Sequence, residues 1–230
     1  GDVYKRQIND SMKNSQFMQN IINEHKKLFK NEPTPDEIKI YQKIVAKSSG
    51  SLIGANSVMG SIITQEIIKS VTRKYTPIDQ CLYFDILDML PAEFNPDTLD
   101  KTKYEPKNDR YDGQRLIFGD DLLEKVRKSN IFVVGAGAIG CEHLKNLVMM
   151  GVNSIEITDM DHVEKSNLNR QFLFRNKDIK RPKSVAAIEK AQEMNSDVKM
   201  NAHTDKVCKE TLEKYNDKFF SGKNMVSVSY

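Results

Sequence analysis

Residues Phe132 to Leu144 read FVVGAGAIGCEHL, an apolar run, a glycine-rich turn and then a pattern at helical spacing. A strand that ends in such a turn and feeds a helix is the opening of a parallel βαβ unit. Gly135, Gly137 and Gly140 satisfy G-x-G-x-x-G in that context. The first glycine permits a tight turn, the second lets backbone approach a phosphate, and the third lets the helix pack on the strand. Backbone amides and the positive helix end then face an anion. A second strand is predicted at Ser154 to Thr158, followed directly by Asp159, whose carboxylate is placed to accept hydrogen bonds from a ribose.

Outward from this centre the alternation continues. A helix is predicted around Asp121 to Lys128, a strand at Ile131 to Val134 and a helix at Ala138 to Met150. Beyond Thr158 come a helix from about Lys183 to Met194, a strand near Val198 to Ala202 and a helix from Lys209. The fold class is therefore α/β, a Rossmann-like, doubly wound, mostly parallel sheet, preceded by a helical segment. Residues 92 to 109 are polar, carry two prolines and read as a linker. Before them, SSGSLIGANSVMGSIITQEIIKSV predicts a largely buried helix and QCLYFDIL a strand. From about Ser15 to Lys47 two helices are expected, with Thr34, Pro35 and Glu37 forming a helix start by a capping box.

Composition bounds the possibilities. The chain has 230 residues, a net charge of +3 and 29% charged residues, which fits a globular protein and suggests no nucleic-acid footprint. No apolar run approaches the roughly 20 residues that span a bilayer, so no membrane partner is expected. Cys81, Cys141 and Cys208 have neither disulfide nor zinc spacing, and no metal site is assigned. Small buried or incidental thiols are the reading for all three. His143, His162 and His203 sit in separate elements and receive no role.

The glycine motif alone leaves a nicotinamide or flavin dinucleotide and ATP both open. The following loop, TDMDHVEKSNLNRQFLFRNKDIKRPKS, carries Asn167, Asn169, Arg170, Gln171, Arg175 and Lys183. That set suits a triphosphate. Arg170 supplies a fixed fork of donors and Lys183 a mobile point charge, so both are candidate catalytic residues that offset charge on phosphate oxygens.

Together VVGAGAIGCE, TDMDHVEKSNLNRQFLFR and RYDGQRLIFG resemble the active adenylation domain of the ubiquitin-activating enzymes, of the ThiF/MoeB-like adenylation fold. The segment ANSVMGSIITQEIIKSVTRKYTPIDQCLYFDILDMLP resembles the end of their inactive adenylation domain. The resemblance implies a division into residues 1–50, part of a helical-bundle insertion; 51–91, the end of the inactive domain; 92–109, a linker; and 110–230, the first part of the active domain. It also implies that Gly135, Gly137, Ala138 and Gly140 line the nucleotide and that Asp159 holds the ribose. Asp161 would lie near the phosphates, Asn167, Arg170 and Lys183 would contact the triphosphate, and Val207 would pack near adenine.

The activity so implied is ATP-dependent adenylation of the C-terminal glycine of ubiquitin, the first step of conjugation. ATP and magnesium are the expected cofactors, with the main metal ligand and the thioester cysteine downstream of this chain. Ubiquitin or a ubiquitin-like protein and a conjugating enzyme are the expected partners, and the expected location is cytoplasmic and nuclear. The chain reads as a fragment, inactive alone. Alternatives are an enzyme for another ubiquitin-like modifier, a nicotinamide-dependent oxidoreductase using the same glycines and Asp159, and a non-catalytic subunit of the same fold.

Overall fold

The computed structural model describes residues 11–47, 50–79, 82, 84, 86 and 100–229. The chain divides into two compact units, residues 1–123 and 124–230.

In the first unit, α1 spans Ser11–Phe29, α2 spans Pro35–Lys47 and α3 spans Ile53–Thr72. The predicted capping box starts α2: Thr34 donates its N–H to Glu37 Oε2 at 2.6 Å, and Glu37 donates its N–H to Thr34 Oγ1 at 3.3 Å. Buried His25 of α1 meets the Tyr41 hydroxyl of α2 through Nδ1 at 2.7 Å. The predicted burial of α3 is not observed. None of its residues is buried, and Ile63, Ile67 and Val71 are 53%, 57% and 77% exposed. Ala55 near its start packs on Leu52, Ile117 and Phe118, but the side chains of Ile63, Ile67 and Val71 are left exposed among the described residues. The expected strand at QCLYFDIL lies outside the described residues apart from Leu82, Phe84 and Ile86, which are not in a strand.

Helix α4 spans Asp112–Arg127, starting nine residues before the expected Asp121. Gly119 breaks it with φ 70°, a left-handed conformation suited to glycine, and a Cβ there would meet the Tyr104 ring at 2.9 Å. Ahead of the break, buried Arg115 donates to Asp109 at 2.6 Å, to Asp120 at 3.0 Å and to Asp112. Leu52, Ile117 and Phe118 form a small core beside it.

In the second unit the four strands are parallel in the order β3-β2-β1-β4, with β1 at Asn130–Val134, β2 at Ser154–Thr158, β3 at Lys199–His203 and β4 at Met225–Val228. Helix α5, Ala138–Met150, joins β1 to β2, and α6, Lys183–Met194, joins β2 to β3. Alternation sorts β1: Ile131 and Val133 point into a core with Leu144 and Val148 of α5, Ile155 and Ile157 of β2, and Ala187 and Ala191 of α6. Phe132 points the other way, onto Tyr215 and Phe219, with ring centroids 5.5 and 4.9 Å apart.

The region after β3 differs from the expected helix. Lys209–Thr211 form one 3-10 turn, and α7 is short, Asp217–Ser221, started by Asn216, whose side chain accepts from Phe219 N–H at 3.0 Å. Docking Tyr215 and Phe219 under Phe132 determines this path, and a continuous helix does not. Order 3-2-1-4 reverses direction at β1, so a crevice outside the carboxyl ends of β1 and β4 is the expected ligand position of such a sheet.

Candidate functional site

The three motif glycines are glycine for three different reasons. Gly135 follows β1 with φ 102°, and a Cβ there would lie 2.0 Å from the Ser229 carbonyl oxygen just past β4. Gly140 sits in the first turn of α5, where a Cβ would lie 2.2 Å from the Gly135 carbonyl oxygen. Both therefore serve close packing. Gly137 has ordinary backbone angles, φ −74° and ψ −157°, and a Cβ would meet nothing within 4 Å. Nothing inside the protein requires glycine at this position.

Gly137 is also the N-cap of α5, and no side chain caps that end, nor does an acidic residue occupy its first turn. The first amides of a helix point outward with a partial positive charge and attract anions. Ala138 opens the helix behind Gly137, so its amide belongs to that group.

Asp159 braces this turn. Its Oδ2 accepts the Ala136 N–H at 2.6 Å and its Oδ1 accepts the Asp161 N–H at 2.8 Å. A carboxylate has about four acceptor directions, so two remain for other donors. From Asp161 the chain of contacts runs to α6: the Asp161 carbonyl accepts the Lys183 N–H at 2.9 Å, and Asp161 Oδ2 pairs with Lys183 Nζ at 2.9 Å. Lys183 is the first residue of α6, whose N-terminus has no side-chain cap. A buried cation at the positive end of a helix runs against the helix dipole, a local conflict of the kind found at functional sites.

Asn167 and Arg170 sit on the intervening loop. Asn167 is buried, its Oδ1 accepting the Glu164 N–H at 2.9 Å, and its carbonyl accepts the Arg170 N–H at 3.2 Å. Arg170 is exposed, donating to the Ser166 carbonyl at 3.0 Å and to Asn169 Oδ1 at 3.2 Å. Among the described residues its guanidinium has no carboxylate partner, whereas Arg115 and Arg181 are both in ion pairs. No hydrogen bond among the described residues ties Asn167 or Arg170 to the glycine turn. Val207 is half-buried and lies four residues past the end of β3, beyond the carboxyl end of that strand.

Cys141 is fully buried in α5, with its Sγ 3.7 Å from the Ala136 carbonyl, and burial pushes its thiol up to about 11. Such a thiol is not a nucleophile near neutral pH. Among the described residues, no group of three or more His, Cys, Asp or Glu side chains is arranged to hold a metal. One open hollow of about 340 Å³, lined by Phe172, Leu173, Arg175, Lys190, Glu193 and Met194, involves the far part of α6 and none of the glycine-turn residues.

The sequence pattern of the ThiF family matches residues 111–227, half of the chain. The chain belongs to the ThiF family. Among its curated relatives, ubiquitin-like modifier-activating enzyme 1 of Dictyostelium discoideum is 40% identical over 196 residues, covering 81% of this chain and 19% of that protein. Ubiquitin-activating enzyme E1 1 of Candida albicans (strain WO-1) is 44% identical over 196 residues, covering 82% and 19%. Ubiquitin-like modifier-activating enzyme 7 of Mus musculus is 41% identical over 194 residues, covering 81% and 20%. This ThiF-family chain thus spans about one fifth of the length of the relatives it matches. Among solved structures, Escherichia coli tRNA N6-threonylcarbamoyladenosine dehydratase, TcdA, aligns with TM-score 0.49 and 24% identity over 53% of this chain and 49% of that one.

Sequence reasoning missed several polar contacts that shape this ThiF-family unit. On the Phe132 side of the sheet, Glu156 pairs with His203 at 2.7 Å and with Lys223. Burial pushes the Glu156 carboxyl up, but hydrogen bonds from Lys223 and His203 outweigh it and hold the carboxyl below its usual range. Buried Asp178 accepts the Arg175 N–H at 2.9 Å and pairs with Arg181 at 3.0 Å, fixing the loop that leads into α6. Only the three-residue spacings from Arg175 to Asp178 and from Asp178 to Arg181 offered a local signal.

Proposed function

We propose that this chain forms the nucleotide-binding half of an adenylation centre that activates ubiquitin or a ubiquitin-like modifier with ATP. The observation that carries the reading is Gly137, a glycine that relieves no contact inside the protein and caps an otherwise uncapped helix. The identity of 40–44% to modifier-activating enzymes supports it.

On this reading the phosphates lie against the amides of Gly137, Ala138 and Gly140, and Gly135 sets the turn. Asp159 keeps its backbone bonds and accepts the ribose hydroxyls with its remaining lone pairs. Val207 packs near adenine. Asn167, Arg170 and Lys183 reach the triphosphate, and Asp161 stays beside it. A carboxylate oxygen of the modifier's C-terminal glycine attacks the α-phosphorus. A new phosphorus–oxygen bond forms, the bond to the bridging oxygen breaks, and pyrophosphate leaves with that electron pair. Arg170 and Lys183 offset the charge that grows on the phosphate oxygens, where fixed cations act most strongly. Magnesium, when bound, screens the triphosphate charge, and no residue of this chain is assigned to it.

The test is ATP–pyrophosphate exchange by the full-length gene product, with ubiquitin added or withheld. Exchange that requires ubiquitin is the expected result. Exchange with another modifier alone would transfer the substrate assignment, and silence with every modifier would refute the adenylation reading.

A further inference from the structure

The Asp161–Lys183 pair is unequal. Lys183 keeps 10% of its side chain exposed and Asp161 keeps 57%, at a separation of 2.9 Å. The lysine starts α6 with its side chain nearly buried. The carboxylate can rotate into solvent with little change in its hydration. Asp161 also holds the lysine through the main chain, by the 2.9 Å bond from the Lys183 N–H, and Asp161 is itself held at 2.8 Å by Asp159. The same Asp159 carboxylate holds the Ala136 N–H of the glycine turn at 2.6 Å. Two adjoining elements of the site therefore share one acidic hinge, and the member free to leave the buried ammonium is the carboxylate.

We propose that Asp161 is a positioning residue that stands in for phosphate. It partners Lys183 before a nucleotide arrives, yields the ammonium to a phosphate oxygen on binding, and takes it back as pyrophosphate departs. The inference rests on the ATP reading above and adds a direction to it. Asp161 competes with the polyphosphate, so removing its charge strengthens polyphosphate binding, whereas a residue that binds the nucleotide directly would weaken it when removed.

The experiment uses the whole chain as wild type, Asp161→Asn and Asp161→Glu. Lys183 is acetylated by a short pulse of acetic anhydride and quantified by mass spectrometry, first without ligand and then across titrations with ATP and with inorganic pyrophosphate. Without ligand, Lys183 is expected to react slowly in wild type, faster in Asp161→Asn and slowly again in Asp161→Glu. Either anion is expected to protect it, with a midpoint about two- to fivefold lower in Asp161→Asn, the range a partly exposed ion pair is worth. An equal or higher midpoint in Asp161→Asn, with wild type protected, overturns the hand-over alone. A wild-type Lys183 that neither anion protects sinks the ATP reading and the hand-over with it. Asp161→Ser carries the same expectation as Asp161→Asn should the latter fail to fold.

Discussion

Replacing Gly137 with serine should leave the fold intact and weaken nucleotide binding, because the new hydroxyl accepts from an amide that a phosphate would use. Gly137 is the N-cap of α5, its φ of −74° suits any residue, and a Cβ there meets nothing within 4 Å. Serine is a favoured N-cap and exceeds glycine by a few tenths of a kcal/mol, so thermal stability should be unchanged or rise by about 1–3 °C. The serine oxygen accepts an N–H from the first turn and its Cβ occupies the approach to the backbone. A loss of at least about tenfold in ATP affinity, about 1.4 kcal/mol, is expected.

Gly140→Ala is the contrasting variant. Its Cβ would lie 2.2 Å from the Gly135 carbonyl oxygen, a main-chain atom that cannot rotate away. Overpacking of this kind costs about 1–3 kcal/mol, or a fall of roughly 4–20 °C for a unit of this size. Thermal unfolding followed by circular dichroism, with calorimetric titration of ATP into the chain, reads both effects. A Gly137→Ser chain that unfolds as early as Gly140→Ala, or that binds ATP like wild type, would refute the assignment of the three glycines.

Three further outcomes are expected. Asp159→Ala leaves the Ala136 and Asp161 amides without their acceptor, costing about 1–3 kcal/mol in urea unfolding, whereas exposed Arg170→Ala should change stability by no more than about 0.5 kcal/mol. In the full-length gene product, Arg170→Ala should still slow pyrophosphate exchange by about a hundredfold, and a wild-type rate would contradict its role. Cys141, fully buried with its thiol pushed up to about 11, should resist N-ethylmaleimide at pH 8 until the chain unfolds, and fast labelling of the native chain would show that burial wrong. Glu156 has a depressed carboxyl, so its pairing stabilises the fold above the unfolded-chain value near 4.5 and is lost as pH falls through the lower folded value. The stability gap between wild type and Glu156→Gln should therefore narrow as the pH is lowered from the unfolded-chain value through the lower folded one, and a constant gap across that window would remove Glu156 from the acid response.

What the sequence revealed follows the range of the forces involved. The βαβ unit from Asn130 to Thr158 was readable because strand length, the glycine turn and helical spacing are all local. The capping box at Thr34 was readable for the same reason. Helix α3 was located correctly, but burial of Ile63, Ile67 and Val71 depends on what covers them, and periodicity carries no such information. The helix expected from Lys209 yields to ring contacts between Phe132 and Phe219, residues far apart in the chain. Asp159 was legible as an acid directly after a strand, but its brace on Ala136, 23 residues away, was not. Lys183 was legible as a cation, while its partner Asp161, 22 residues earlier, emerged only once α6 had placed it.

The pairing of β1 with β4 sets a delay during synthesis. Asn130 donates its N–H to the Asn224 side chain at 2.7 Å across a sequence separation of 94 residues, and the first register partner of Ile131 on that side is Met225. At a ribosomal rate of about 5–20 residues per second, that outer edge of β1 waits roughly 5–20 s after emerging before its neighbour exists. Until then the β1–α5–β2 unit has an open flank beside the glycine turn, where Gly135 still lacks the Ser229 carbonyl that will close against it. Among the described strands, β4 is thus made last and is the one that covers this flank of β1.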